Sequence, residues 1–167
     1  MLAAVQSAGT TIEPMTEADL DAALAIDLAS FHPGDIGGER DDPRASREKH
    51  LREELARSWA RLRVARGRAG EVLGYILFWL VADEIHLLNV AVAPDARRRG
   101  IGRALVEDLI AFARANAAAK VLLEVRASNH AAIQLYERLG FTRFNIRRAY
   151  YGDGEDGVEM MLELAAA

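Results

Sequence analysis

Four arginines and two glycines stand together in Arg97-Arg98-Arg99-Gly100-Ile101-Gly102-Arg103. The turn follows an apolar segment ending at Val92 and opens a run whose apolar residues recur at Ile101, Leu105, Leu109 and Phe112. That recurrence marks one face of a helix, so the turn sits at a helix N-terminus. The first backbone N–H groups of a helix have no intrahelical partner, and the macrodipole adds partial positive charge, so an anion is favoured there. Glycine carries no Cβ and lets a bulky anion approach the backbone. These residue types point to a phosphate-bearing ligand, against the plainer alternative of a basic helix cap that binds nothing. A P-loop requires Lys followed by Ser or Thr where Arg103-Ala104 stand. A dinucleotide fingerprint requires a small third residue where Leu105 stands. What remains is the pattern Arg97-x-x-Gly100-x-Gly102.

Two further residues could move protons. Glu124 lies in the apolar run Lys120 to Arg126, sharing a strand face with Leu122 and Arg126. A carboxylate in so apolar a strand is expected to be partly desolvated, which raises its pKa toward that of a useful base. Its structural alternative is an ion pair with Arg126. Tyr136 falls on the stripe Ala132, Ile133, Tyr136 and Leu139, and by geometry alone it fills the core. Asn129 stands where a helix must begin and reads as its N-cap. His32, His50, His86 and His130 have no metal-ligand spacing, and no cysteine is present, so no metal is expected. The absence of a Gly-x-Ser-x-Gly elbow argues against a serine hydrolase.

The Arg97-x-x-Gly100-x-Gly102 turn resembles the acetyl-coenzyme A signature of the GCN5-related N-acetyltransferase (GNAT) family. Leu123-Glu124-Val125-Arg126-Ala127-Ser128-Asn129 and Ala131-Ala132-Ile133-x-Leu135-Tyr136-Glu137-x-Leu139-Gly140-Phe141 resemble its next blocks. These, with Arg147-Arg148-x-Tyr150-Tyr151, are most similar to the RimI-type ribosomal-protein-alanine N-acetyltransferases, and the resemblance covers residues 72–163. It implies acetyl transfer from acetyl-CoA, as cosubstrate, to a primary amine such as the α-amino group of an alanine-starting ribosomal protein. It implies Glu124 as general base, through a relaying water, and Tyr136 as the acid that protonates the departing thiolate. Coenzyme contacts fall on Val90, Ala91, Val92, Arg97, Arg98, Arg99, Gly100, Ile101, Gly102, Arg103 and Asn129, and acceptor contacts on Phe31, Tyr150 and Tyr151. Arg147 and Arg148 would order the last segment against nearby acids. RimI-type enzymes usually carry Pro-Trp-Ser between their first two helices, whereas an acidic, glycine-containing insertion follows Phe31-His32-Pro33 here. The acceptor therefore stays open between a protein N-terminus, a lysine side chain and a small amine. A non-catalytic module that senses acetyl-CoA is the alternative from another class.

These residues need a frame. Thr10 to Met15 reads as a first strand, after which Thr16 caps a helix with the face Leu20, Ala23, Leu24, Asp27 and Leu28. Pro33 to Pro43 has no apolar period and reads as a mobile loop. A helix is expected over Ala45 to Ala60, with Leu51, Leu55 and Trp59 four apart. Strands follow at Arg61 to Arg66, Val72 to Val81 and Glu84 to Val92, the first two joined by a hairpin at Gly67 to Gly70. The helix from Ile101 to Ala118 crosses over to a parallel strand, Lys120 to Arg126. A helix at Asn129 to Leu139 precedes two last strands, Phe141 to Tyr151 and Val158 to Leu164. The result is an α/β fold with a mixed central sheet of about seven strands and helices on both faces. The resemblance makes it the GNAT acetyltransferase fold, whose two central parallel strands splay to admit the coenzyme's pantetheine arm.

Composition bounds the rest. A chain of 167 residues, 51% of them hydrophobic, fits one domain over 1–167, with 1–9 a loose extension, and the resemblance makes it an N-acetyltransferase domain. The longest apolar run, Tyr75 to Ala82, is too short to span a bilayer. The N-terminus lacks the positive start and long apolar region of a signal peptide, so a cytoplasmic location is expected. A net charge of −4 argues against general nucleic-acid affinity. The basic residues between Arg44 and Arg68 alternate with Glu48, Glu53 and Glu54 and read as a solvated helix face with i,i+4 ion pairs. Whether the chain is a monomer or a homodimer is not legible.

Overall fold

A computed structural model describes residues 9–31 and 42–165. His32, most of the Pro33 to Pro43 loop and nearly all of the expected 1–9 extension lie outside them.

The elements run β1 (Thr11–Pro14), α1 (Leu20–Ser30), α2 (Pro43–Ala56), β2 (Ala60–Arg66), β3 (Val72–Val81), β4 (Glu84–Val92), α3 (Ile101–Ala115), β5 (Lys120–Arg126), α4 (His130–Arg138), β6 (Thr142–Arg147) and β7 (Gly157–Glu163). The strands form one sheet of seven in the order β1-β2-β3-β4-β5-β7-β6. Among the described residues only β4 and β5 pair in parallel, as the α3 crossover requires.

β3 explains the layers. Ile76 and Phe78 point to one face and join Leu105 and Leu109 of α3, Val121 and Leu123 of β5, and Ile133 and Tyr136 of α4. Tyr75 and Leu77 point to the other and join Leu24 of α1 and Leu51 of α2. A strand buried on both faces loses the polar alternation of a half-exposed one. Each large apolar side chain so buried contributes about 1.5–3 kcal/mol.

Three expected boundaries shift, each for a local reason. α2 starts at Pro43 because the Asp42 carboxylate accepts hydrogen bonds from the backbone N–H groups of Arg44 and Ala45, at 3.0 and 3.2 Å. It ends at Ala56, so Trp59 is not on its buried face. Trp59 is 47% exposed, and its carbonyl already accepts from Leu80 N–H at 2.9 Å, alongside the β2–β3 ladder. β6 ends at Arg147 rather than Tyr151, because Ala149 turns the chain at φ +48°. The solvated face of α2 carries the expected pairs, Arg52 with Glu48 and Lys49 with Glu53.

The feature that positions the site is a bulge in β4. Phe78 lies opposite Leu87 and Leu77 opposite Asn89, so Leu88 is an extra residue. Pairing with β5 runs from Glu84–Lys120 to Leu87–Leu123 and ends there. Beyond that point β5 keeps its ladder with β7, through Glu124–Glu159 to Arg126–Gly157. β4 keeps its own with β3, through Val90–Ile76 and Ala91–Tyr75. The parallel pair thus opens as a gap between Leu88–Val92 and Glu124–Arg126, as the resemblance implied.

Candidate active site

At the opening lies a cleft of about 600 Å³ whose walls include Trp79, His86, Leu88 and Asn89 on one side and Leu122, Glu124, Phe144, Tyr150, Tyr151 and Glu159 on the other. Glu124 Oε1 accepts from Arg147 Nη1 at 2.6 Å. A hydrogen bond to the same carboxylate is the main cause that pushes the Tyr150 phenol above its ordinary range. The Arg147 guanidinium also lies over the Tyr150 ring, 4.3 Å from its centroid. The expected burial of Glu124 is corrected, and its structural alternative, the Arg126 ion pair, does not form. The residue is exposed at the cleft mouth rather than sequestered in the strand. Its cationic partner is Arg147, because Arg126 turns instead to Asp153 and Glu155, each at 2.9 Å.

Arg126 thereby builds the wall that carries Tyr151. Its guanidinium stacks on the Tyr151 ring at 4.0 Å, and Glu155 also accepts from Ser128 N–H at 2.8 Å. Tyr150 and Tyr151 meet edge to face at 5.1 Å. Arg148 pairs with Asp156 at 2.7 Å, so both arginines of the segment are matched by acids.

Tyr136 packs against Phe141, ring centroids 5.6 Å apart, in the core on the α3 face. Glu124 projects from the opposite face of β5, and Tyr136 is not among the residues that line the cleft. Burial, with a smaller contribution from the neighbouring Tyr151 phenol, pushes Tyr136 up to about 12. Its hydroxyl makes no hydrogen bond among the described residues. Tyr151, which lines the cleft and adjoins Tyr136, links the two faces.

The arginine turn has the form an anion cradle needs. Arg98 and Gly100 are both left-handed, at φ +61° and +78°. Glycine accepts that conformation freely, whereas arginine holds it under strain. Ala104 N–H bonds the Gly100 carbonyl at 3.0 Å, while the amides of Ile101, Gly102 and Arg103 have no acceptor among the described residues. A Cβ on Gly100 would meet nothing within 4 Å, so the cradle opens to free space. Arg97 braces it by donating to the Val92 carbonyl at 3.2 Å. Arg103 pairs with Glu107, and Arg98 and Arg99 have no partner among the described residues. Of the three β4 residues, Val92 has its carbonyl taken by Arg97, and Ala91 sets its own against Gly74 of β3. Val90, two residues before Val92, directs its peptide group toward the gap. Asn129 caps α4, accepting from Ala132 N–H at 3.2 Å. These residues fit a phosphate-bearing thioester donor: open amides and free cations at one end, a strand edge in the gap.

Phe31 is not brought to the cleft. It ends α1 and lies beneath the Arg47 guanidinium, 5.9 Å away. What the sequence reading missed is behind the other wall. Asn89 donates to the Tyr75 hydroxyl at 3.4 Å, Tyr75 donates to Asp27, and Asp27 pairs with Arg47 at 2.6 Å, both charges being 2% exposed. The available signal was Asp27 itself, a carboxylate on the apolar face of α1. Trp79 is likewise anchored, donating to the buried Glu54 at 2.7 Å. Among the described residues no group of acids and histidines could hold a metal, and no helix is long and apolar enough to cross a membrane.

A sheet that opens between parallel β4 and β5, with a cradle at the start of α3, defines an acyl-transfer site for a thioester donor. The chain matches the acetyltransferase (GNAT) family model over residues 24–141 and belongs to that family, whose members use acetyl-CoA as cosubstrate. Its relatives are curated N-acetyltransferases, and it is an enzyme of that kind. It is 48% identical over 99 residues to the ribosomal protein bS18-alanine N-acetyltransferase of Escherichia coli, covering 58% of this chain and 67% of that one. An N-alpha-acetyltransferase of Sulfurisphaera tokodaii is 39% identical over 108 residues, covering 57% and 65%. The crystal structure of the Escherichia coli enzyme superimposes with a TM-score of 0.79 at 35% identity, covering 95% of this chain and 96% of that one. NAA60 of Arabidopsis thaliana, at 18% identity and a TM-score of 0.79, shares the fold.

Proposed function

We propose that this enzyme acetylates the α-amino group of a protein N-terminus, preferring one that begins with alanine, such as a bS18-type ribosomal protein. The observation that carries the reading is the anionic mouth of the cleft. Glu124 and Glu159 line it and share one arginine, Arg147, at 2.6 and 4.0 Å, so acid is in excess there and a cationic N-terminal ammonium is drawn to it. Tyr150 and Tyr151 flank the entering backbone.

An amine attacks only as the free base, and an α-amino group with a pKa near 8 is mostly protonated at neutral pH. Glu124 removes that proton through a water, exchanging its Arg147 partner for the acceptor. Acetyl-CoA, when bound, supplies the acetyl group as a thioester. The amides of Ile101, Gly102 and Arg103, with Arg97, Arg98 and Arg99, hold its phosphates, and Val90 and Asn129 contact its arm. Tyr136 stays a phenol at every physiological pH because its pKa is about 12. It donates its proton as the C–S bond breaks. A thiolate in the same dry setting is also pushed up, which narrows the mismatch with so weak an acid.

Initial rates with peptides beginning in Ala, Ser or Met, beside lysine peptides, polyamines and aminoglycosides, test the reading. Selective turnover of the alanine peptide supports it. Turnover of free small amines alone overturns it, and coenzyme binding without any transfer favours a sensor.

A further inference from the structure

The Leu88 bulge changes which face of β4 each residue occupies. Before it, Ile85 and Leu87 point into the α3 core; after it, Asn89 and Ala91 point to the opposite face, alongside Leu77 and Tyr75. Strict alternation would bury Asn89 beneath α3. The extra residue instead delivers it to the cleft wall, across the opening from Glu124.

There the amide is oriented by what lies behind it. Arg47 and Asp27 form a buried ion pair, so the Asp27 carboxylate is an acceptor and the Tyr75 hydroxyl must donate to it. Burial, reinforced by the Asp27 charge, pushes the Tyr75 phenol well up, so it keeps that proton. The Tyr75 oxygen can then only accept, and Asn89 Nδ2 fills the role at 3.4 Å. The amide cannot rotate without setting oxygen against oxygen. Asn89 Oδ1, with no partner among the described residues, is left to serve the cleft. An incoming amine presents N–H donors that this oxygen can accept.

We propose that Asn89 is an acceptor-binding residue whose side-chain oxygen takes a hydrogen bond from the acceptor's amino group, and that Tyr75, held by Asp27 and Arg47, is the positioning residue that fixes its orientation. This rests on the acceptor being an amine bound at the Glu124 mouth, as in the proposed function.

Steady-state kinetics with varied acceptor, and calorimetry with acetyl-CoA, test it on Asn89→Ala, Asn89→Leu, Tyr75→Phe and the Tyr75→Phe/Asn89→Ala double variant. Loss of a hydrogen bond to a charged group predicts an acceptor KM raised roughly tenfold or more in both Asn89 variants. Acetyl-CoA affinity should stay within about twofold, which also shows that the variants fold. Tyr75→Phe should raise acceptor KM in the otherwise unchanged enzyme and add nothing to Asn89→Ala, the pattern of a residue acting through another. An acceptor KM unchanged in both Asn89 variants, or multiplying effects in the double variant, overturns the proposal. If the unsubstituted enzyme uses only a small amine, the N-terminal reading falls, and the same comparison is made with that amine, whose N–H groups offer the same donors.

Discussion

The Arg147 guanidinium stands 2.6 Å from the Glu124 carboxylate, so the residue placed to take the substrate's proton is held in an ion pair before the acceptor arrives. A pair at an open mouth is weak enough to exchange. Glu124→Gln keeps the shape and hydrogen-bonding reach but removes the base. It should lower kcat by about 10²–10⁴-fold while leaving acetyl-CoA affinity unchanged by calorimetry. Retained turnover would remove Glu124 from the chemistry.

Tyr136 tests the other half of the proton path. With its pKa at about 12, it should contribute no phenolate absorbance at 295 nm near pH 10. Subtracting the titration of Tyr136→Phe from that of the parent should reveal one group ionising close to pH 12. Because the folded pKa lies above the unfolded value of 10, its contribution to stability is full below pH 10 and fades as pH rises through 12. The same variant should lose kcat without an alkaline shift in its rate profile.

Gly100 tests the cradle. At φ +78° with open space where a Cβ would stand, Gly100→Ala meets no clash, and its cost is that of the left-handed backbone, about 1–2 kcal/mol. Thermal unfolding should show Tm lowered by roughly 2–8 °C, and KM for acetyl-CoA should rise more than KM for the acceptor. The reverse order would place the donor elsewhere.

Glu155 sets an acid limit on the Tyr151 wall. Hydrogen bonds from Ser128, then Arg126, hold its carboxyl down to about 2, from an ordinary 4.5. The stabilisation is present above pH 4.5 and disappears as pH falls through 2. Urea unfolding across that window should show a steeper decline for the parent than for Glu155→Gln.

Much of the frame was legible because its signals are local. The apolar runs of β3, β4 and β5 and the four-residue recurrence in α3 return with their expected starts, and the glycine-arginine turn falls where a helix begins. The site was legible less evenly. Asp27 was visible as a charge on an apolar helix face, but its partner Arg47 lies twenty positions on, and only packing joins them. Glu124 was expected to sit in a dry strand because alternation cannot show that the sheet opens beside it. Trp59 continued the spacing of α2 until strand pairing claimed its backbone.

Leu88 is exposed on the cleft wall, and its place in the chain matters to the sheet more than its side chain does. Substitutions there should be tolerated by the fold, whereas removing the residue would leave Asn89 opposite Leu77 and on its present face but erase the bulge at which β4 parts from β5. In a library of variants, frame-preserving loss at this site should spare folding and cost acetyl transfer, the mark of a residue that serves the opening rather than the strand.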